Sequence, residues 1–164
     1  MIARNARLLA AGLLTLGLAG CAAMGPPPPP PPYTGADNVG AVQKSMLVGN
    51  WVGRSLNPRE GSKSPVYNVT YSQDGSTVYE VNDAQSGMNL QLQMVGTWQV
   101  EGDLIRVQLE SIKETSGNAL GGMMATFMSG MKDRMNGTAN VYEASANRVV
   151  LVGTDGGAVE LTRQ

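Results

Sequence analysis

Apolar and polar residues alternate with a period of two along much of the chain, which predicts β-strands. In 67–72, 89–94 and 105–110 every second residue is apolar, so each segment buries one face and solvates the other. The segments near 88–95 and 96–100 can form one bent strand, which makes eight the expected number. The predicted strands lie near 47–55, 65–73, 76–82, 88–95, 96–100, 104–113, 138–144, 148–153 and 158–163.

Short turn signals separate these strands and predict consecutive hairpins. They lie at 74–75, 101–103, 145–147 and 155–157 and are rich in Asp, Asn and Gly. Closing a meander of eight strands removes its exposed edges, whereas a sandwich needs longer crossing connections. We therefore expect a mainly β fold, a small up-and-down antiparallel barrel of about eight strands.

One segment departs from the strand pattern and predicts an inserted amphipathic helix near 117–136. Its glycines weaken a helix by about 1 kcal/mol each relative to alanine, so the helix needs tertiary packing. Its apolar residues can be barrel core, a lid or partner surface, or soft thioether ligands for copper. The residues at helical spacing are Met124, Phe127, Met128, Met131 and Met135.

The first 20 residues have the features of a signal peptide. Arg4 and Arg7 precede an apolar run over 8–18 that is too short to span a bilayer. The run ends in Leu18-Ala19-Gly20-Cys21, which resembles the lipobox of bacterial lipoproteins. The resemblance implies that Leu18, Ala19 and Gly20 are recognised by the signal peptidase and that Cys21 receives a diacylglyceryl group. The alternative is an ordinary secreted protein that is cut near Ala23.

The same resemblance implies a membrane address for the mature chain. Processing would leave Cys21 as the first residue with three acyl chains, which makes the anchor effectively permanent. In lipoproteins of enteric-type bacteria, a residue other than Asp after this cysteine usually directs the protein to the outer membrane, and Ala22 stands there. We expect a lipid-anchored protein of the bacterial outer membrane that faces the periplasm, with the membrane as its first partner.

A proline-rich segment separates the anchor from the predicted domain. Pro26–Pro32 are seven consecutive prolines, which favour a polyproline II rod of about 3.1 Å per residue. We interpret 21–36 as a lipidated spacer; the alternative is a ligand for a proline-recognition module. The folded domain is expected over 37–164, and Asp37 is predicted to cap a short helical turn that extends through Ser45.

Two Gly-x-Trp motifs begin strands of the predicted barrel. Gly49-Asn50-Trp51 and Gly96-Thr97-Trp98 occur in order with the Asp-Gly turn at 74–75 and the Gly-Asp turn at 102–103. This run resembles the lipocalins and the small lipocalin-like domains of bacterial secreted proteins. In that family the Gly-x-Trp tryptophan plugs the closed end of an eight-stranded barrel. The resemblance implies this role for Trp51 and, through the second motif, for Trp98.

Composition removes most catalytic and nucleic-acid functions. The chain of 164 residues has no histidine, one cysteine and a formal net charge of −1. A Ser-His-Asp or Cys-His arrangement therefore cannot form, and the basic surface of a nucleic-acid binder is missing. We expect no enzyme activity, no cofactor, no metal site and no nucleic-acid partner.

The remaining functions are binding functions. The barrel is expected to bind a hydrophobic small molecule or an envelope protein, with the methionine-rich helix as lid or docking surface. The alternative is a structural or assembly lipoprotein, or a module like a protease inhibitor, without a small-molecule ligand. A remote alternative is copper handling through methionine thioethers.

Overall fold

The described part of the chain forms a β-barrel with three short helical segments. The computed structural model describes residues 29–37, 39–58, 66–83 and 90–164. The helices are α1 (Lys44–Leu47), α2 (Ala119–Gly130) and α3 (Lys132–Met135). The strands are β1 (Gly49–Ser55), β2 (Tyr67–Tyr71), β3 (Ser76–Asp83), β4 (Leu90–Glu101), β5 (Leu104–Glu114), β6 (Gly137–Ala144), β7 (Arg148–Gly153) and β8 (Ala158–Arg163).

The eight strands close into a barrel in which each strand pairs antiparallel with its neighbour in sequence. β8 returns to pair with β1, so that Trp51 lies between Val69 of β2 and Arg163 of β8. The segments predicted near 88–95 and 96–100 are one strand, β4, with a register shift between Val95 and Gly96. The predicted antiparallel barrel of eight strands is thereby confirmed.

The two ends of the barrel differ in how they are covered. At the closed end, where β1 begins and β8 finishes, Leu47 of α1 and the preceding Val42 are buried against Trp51 and Trp98. Trp51 is 0% exposed and Trp98 is 3% exposed. At the open end, where β1 finishes at Ser55 and β8 begins, no such plug covers the interior among the described residues.

The α1 turn occurs later in the chain than expected. The predicted cap, Asp37, accepts a weak hydrogen bond from Val39 N at 3.4 Å, whereas the helix begins at Lys44. The reason is burial, since the turn at 44–47 places Leu47 against the closed-end core.

The single helix predicted near 117–136 is two helices. α2 begins after Asn118, whose side chain accepts a hydrogen bond from Leu120 N at 3.0 Å. Met131 has φ −110° and ψ 7°, outside the helical range, and it separates α2 from α3. The break allows α3 to follow the barrel wall toward β6.

The two helices cover a part of β5 that β6 leaves unpaired. The ladder between β5 and β6 runs only from Leu104 to Val107 on β5. Beyond it, Leu109 N donates to Asn136 Oδ1 at 2.7 Å, and Ser129 Oγ donates to Ile112 O at 3.3 Å. Lys132 Nζ donates to Glu110 O at 3.3 Å. Side chains of the helical segment thus satisfy backbone groups that an edge strand would leave free.

The end of the proline-rich segment packs on the outside of the barrel. Tyr33 covers Val150 and Val152 of β7 and makes an edge contact with Tyr142, with ring centroids 5.9 Å apart. Pro31 O accepts a hydrogen bond from Asn57 Nδ2 at 2.5 Å. These contacts lie within the segment interpreted as a spacer. The lipobox residues, Cys21 among them, lie outside the described residues.

The outer face of β8 carries an ion-pair network centred on Glu160. Its carboxylate accepts hydrogen bonds from Arg148 Nε at 2.6 Å and Arg54 Nε at 2.5 Å, and Arg148 also contacts Glu143. The hydrogen bond from Arg148, followed by that from Arg54, lowers the pKa of Glu160 despite its burial.

We expect Glu160→Gln to lower the free energy of unfolding by about 1–3 kcal/mol at neutral pH, because a charge-assisted contact is lost. The folded-state pKa is lowered, so this stabilisation is present above the ordinary value of 4.5 and disappears as the pH falls through the folded-state value. Urea denaturation at pH 7 and in acid measures it. Glu110→Gln, at an exposed carboxylate, is the control. A difference from wild type that does not shrink in acid would contradict this role.

Candidate functional site

The candidate site is a cavity of about 680 Å³ inside the barrel, reached from the open end. This volume lies within the range of small-molecule pockets, which is about 300–1,000 Å³. Its walls are the inward-facing side chains of the strands, since alternate residues of each strand point to the interior. They include Tyr67, Tyr71, Tyr79, Met94, Leu109 and Val159.

Residues from three separate parts of the chain form the mouth of this cavity. Pro30 of the proline-rich segment lies on one side and Met135 of α3 also contributes. Asn57, which follows β1, connects that side to the turn between β7 and β8. It donates to Gly156 O at 2.8 Å and accepts from Ala158 N at 2.6 Å. The mouth is therefore built by tertiary contacts of segments outside the strands.

Three tyrosines line the interior of the cavity and carry hydroxyl groups. The hydroxyls of Tyr71 and Tyr79 lie 2.9 Å apart, and the ring of Tyr71 packs on Trp98 with centroids 4.8 Å apart. Burial is the largest cause that raises the pKa of Tyr67, Tyr71 and Tyr79 above the ordinary value of 10.0. All three are neutral at physiological pH and can serve as hydrogen-bond donors and acceptors.

The charge around the cavity argues against a strongly anionic ligand. Among the described lining residues there is no Lys or Arg, and Asp155 places a carboxylate near the mouth. A buried anion without a cationic partner is costly. The wall is suited to an apolar molecule that carries a neutral hydrogen-bonding group.

Below the cavity, Trp51 contacts two segments that meet at the closed end: the one that joins α1 to β1 and the end of β8. Its Nε1 donates to Leu47 O at 2.8 Å, and the guanidinium carbon of Arg163 lies 4.1 Å from its ring centroid. Arg163 also donates to Val48 O and Met46 O at 3.1 Å each. The last strand is thus tied to the segment between α1 and β1 across the face of Trp51.

Steric contacts explain why each Gly-x-Trp motif has a glycine at its first position. Gly49 has φ +141°, and a Cβ there would lie 2.3 Å from Arg163 Nη1, so a side chain would displace the arginine from Trp51. A Cβ at Gly96 would lie 2.1 Å from Gln108 O, where β4 and β5 change register. The motifs are therefore positions of close backbone approach.

The methionine stripe predicted from sequence does not face one way. Met128 and Met135 pack against the core cluster at the open end, and Met131 is half-buried at the helix break. Met124 and Phe127 are exposed, Phe127 to 63%. The inward face of α2 uses small residues, Gly121 and Ala125. Small residues let the helix approach β4 and β5 closely, which turns the larger side chains outward.

The exposed apolar side of α2 forms a continuous stripe that the sequence argument missed in part. Leu120 is 53% exposed and Met123 is 72% exposed, and they flank Met124 and Phe127. The four positions have the spacing i, i+3, i+4, i+7, which places them on one helical face. We call Leu120, Met123, Met124 and Phe127 the α2 stripe. Its spacing is present in the sequence, but the predicted set contains Met124 and Phe127 without Leu120 and Met123.

The cavity tyrosines were also missed as functional residues. Tyr67 and Tyr71 were recognised only as apolar positions of an alternating strand. Alternate residues of a strand point to the same face, so Tyr67 and Tyr71 lie on the inward face together with the buried Val69. This pattern does not show that a cavity lies beside these tyrosines.

Two further features of the described ranges concern metal ions and membranes. No group of three or more His, Cys, Asp or Glu residues is placed there to hold a metal ion. None of the helices in this part of the chain has the length and apolar content needed to cross a bilayer.

Comparison with known proteins gives little to identify the chain. No family model matches it, and no curated protein matches it significantly. A solved structure that aligns with it is the "NMR structure of the protein from Burkholderia xenovorans", with 13% identity and a TM-score of 0.37. The alignment covers 82% of this chain and 98% of that one.

Proposed function

We propose that this protein is a lipid-anchored, lipocalin-like lipoprotein of the bacterial outer membrane that binds a hydrophobic small molecule in its barrel. It faces the periplasm and acts as a binding protein, not an enzyme. The anchor part rests on the lipobox that ends at Cys21. The binding part rests on one observation, the open cavity of about 680 Å³ at the end opposite Trp51.

The wall chemistry supports a defined class of ligand. An apolar body fits against Met94, Leu109 and Val159, while the hydroxyls of Tyr67, Tyr71 and Tyr79 offer neutral hydrogen bonds. Tyr71 and Tyr79 already bond to each other. The hydroxyl of Tyr67 is not part of that pair, so it is the group we assign to the ligand. The ligand class is a neutral amphiphile with one polar group, such as a long-chain alcohol.

A filled interior with an exposed apolar patch is the combination expected of the alternative, a structural or protease-inhibitor-like module without a ligand. The cavity favours the ligand-binding function over that alternative, because close-packed interiors contain few voids larger than a water molecule. A ligand that enters the open end would restore the missing contacts of the wall.

We expect Ala139→Phe to abolish ligand binding without loss of the fold. Ala139 lines the cavity, so a phenyl ring there occupies the ligand volume instead of overpacking a filled core. Native mass spectrometry of the full-length lipidated protein measures binding, before and after addition of 1-decanol or decanoate. The wild type should take up decanol more readily than decanoate, and the variant neither. Thermal unfolding checks that the variant stays folded.

Gln108→Phe is the matched control, because residue 108 is exposed on the outer face of β5. It adds the same ring without entering the cavity and should bind as wild type does. If the wild type carries no co-purified molecule and takes up neither probe, the ligand-binding function is wrong. If Ala139→Phe is strongly destabilised, the interior at that point is packed, and the cavity is not a binding space.

A further inference from the structure

The α2 stripe is an exposed apolar surface on a helix whose other apolar side is already packed. Leu120, Met123 and Phe127 are each more than half exposed, although Gly121, Ala125 and Met128 of the same helix face the barrel. The barrel therefore does not need the stripe for its own core. A second apolar face on a helix of a globular domain indicates a surface that another apolar medium covers.

The helix that presents the stripe has no charged residue. From Thr115 to Met131 the sequence contains no Asp, Glu, Lys or Arg, so the whole of α2 is uncharged. Charged residues of both signs stand just outside this stretch, at Lys113 and Glu114 before it and at 132–134 after it. An uncharged apolar helix face whose charged residues lie only beyond its ends is suited to the boundary between lipid headgroups and acyl chains.

The attachment of the chain places the stripe near a bilayer. Pro30 lines the mouth of the cavity, and α2 begins at the same end of the barrel, directly after the top of β5. Nine peptide units separate Pro30 from Cys21, and a chain of that length reaches at most about 30 Å. With acyl chains on Cys21, the mouth at Pro30 lies within this reach of the membrane surface, so the α2 stripe can touch the bilayer.

We propose that the α2 stripe rests on the lipid bilayer in which Cys21 is anchored, so that the mouth of the barrel opens at the membrane surface. This inference rests on the lipid anchor of the proposed function. The anchor makes the contact intramolecular, so a stripe of four side chains, too weak to hold a free protein, suffices. The contact is apolar, because the chain that follows the signal peptide is mildly acidic and is not drawn to anionic lipid.

The arrangement gives the cavity its source of ligand. A neutral amphiphile dissolved in the bilayer would pass from lipid into a mouth bordered by Pro30 and Met135 without crossing bulk water. The tyrosine hydroxyls inside then replace the hydration of its polar group. The cavity and the α2 stripe thus serve one function, the exchange of a membrane-soluble molecule between the bilayer and the barrel.

Depth-dependent quenching on the full-length lipidated protein tests the contact. Acylated Cys21 leaves no free thiol, since the chain has one cysteine. Phe127→Cys therefore accepts a single NBD label on the stripe, and Thr97→Cys places the same label on an exposed residue near the closed end. Both proteins are reconstituted in phosphatidylcholine vesicles. Quenching by spin-labelled phosphatidylcholine is compared with quenching by aqueous iodide.

The expected result is that the label at 127 is quenched several-fold more by spin-labelled lipid than the label at 97, and several-fold less by iodide. Met123→Cys, elsewhere on the stripe, should behave as 127 does and guards against a local effect of one substitution. If 127 and 123 are as accessible to iodide as 97, the membrane contact is wrong. If they are shielded from both quenchers, a protein covers the stripe instead, which also overturns the proposal.

Failure of the anchor gives a different result. A protein without acyl chains does not float with the vesicles and presents Cys21 as a second thiol to the label. That outcome overturns the anchor together with the membrane contact. Flotation with iodide-accessible stripe labels overturns the contact alone.

Discussion

Replacement of Trp51 by alanine is expected to lower the free energy of unfolding by about 3–5 kcal/mol, a large part of the stability of an ordinary domain. The indole is 0% exposed, so its removal leaves a cavity at the centre of the closed end. Leu47 O would lose its hydrogen bond from Nε1, and Arg163 would lose the ring beneath it. Urea denaturation followed by far-ultraviolet circular dichroism measures the change.

Phe127→Ala is the matched control, since it removes an aromatic ring that is 63% exposed. Its effect on stability should lie within about 0.5 kcal/mol. Trp51→Phe should fall between the two, because it keeps most of the apolar volume and loses the hydrogen bond to Leu47 O. An equal decrease in the free energy of unfolding for Trp51→Ala and Phe127→Ala would show that Trp51 does not stabilise the closed end.

Replacement of Cys21 by alanine is expected to abolish membrane attachment through lipid completely. Without the thiol no diacylglyceryl group can be added, and the signal peptide should remain uncut. Metabolic labelling with a radioactive or alkyne fatty acid, together with the size of the product, measures both steps. The expected product is an unlabelled precursor that is larger than the wild-type protein.

Ala23→Leu tests the alternative in which an ordinary signal peptidase cuts near Ala23, because that enzyme requires a small residue at the cut. If the lipobox directs processing, this variant keeps its acyl label and its mature size. A Cys21→Ala protein of mature size in the outer-membrane fraction would show that the lipobox interpretation is wrong.

The strands could be predicted because their determinants are local. The alternation around Tyr67 and Val69 specifies which face is buried, and Asp-Gly at 74–75 specifies where the chain reverses. Ser76 N donates to Asp74 Oδ1 at 2.9 Å, a contact within three residues. The bend of β4 was indicated by Gly96, because a glycine inside a strand marks a bulge or a close approach.

The helical segment could be located but not oriented. Spacing alone grouped Met124, Met128, Met131 and Met135 on one face. In the folded protein, packing against β4 and β5 selects Gly121 and Ala125 for the interior, and the break at Met131 changes the direction of the chain. Which of two apolar faces is buried depends on the neighbour, and periodicity contains no information about the neighbour.

By itself the sequence determined a barrel of eight antiparallel strands and the positions of its turns, because these follow from the alternation and turn residues of short segments. That the two tryptophans are buried was implied by the family resemblance of their Gly-x-Trp motifs. Only the tertiary structure decided that the barrel contains a cavity, that Tyr33 packs on β7 and that the α2 stripe faces outward. A cavity is a property of how far apart the walls stand, which depends on side chains distant in sequence. The same holds for surfaces, since a residue is exposed only if nothing distant in the chain covers it.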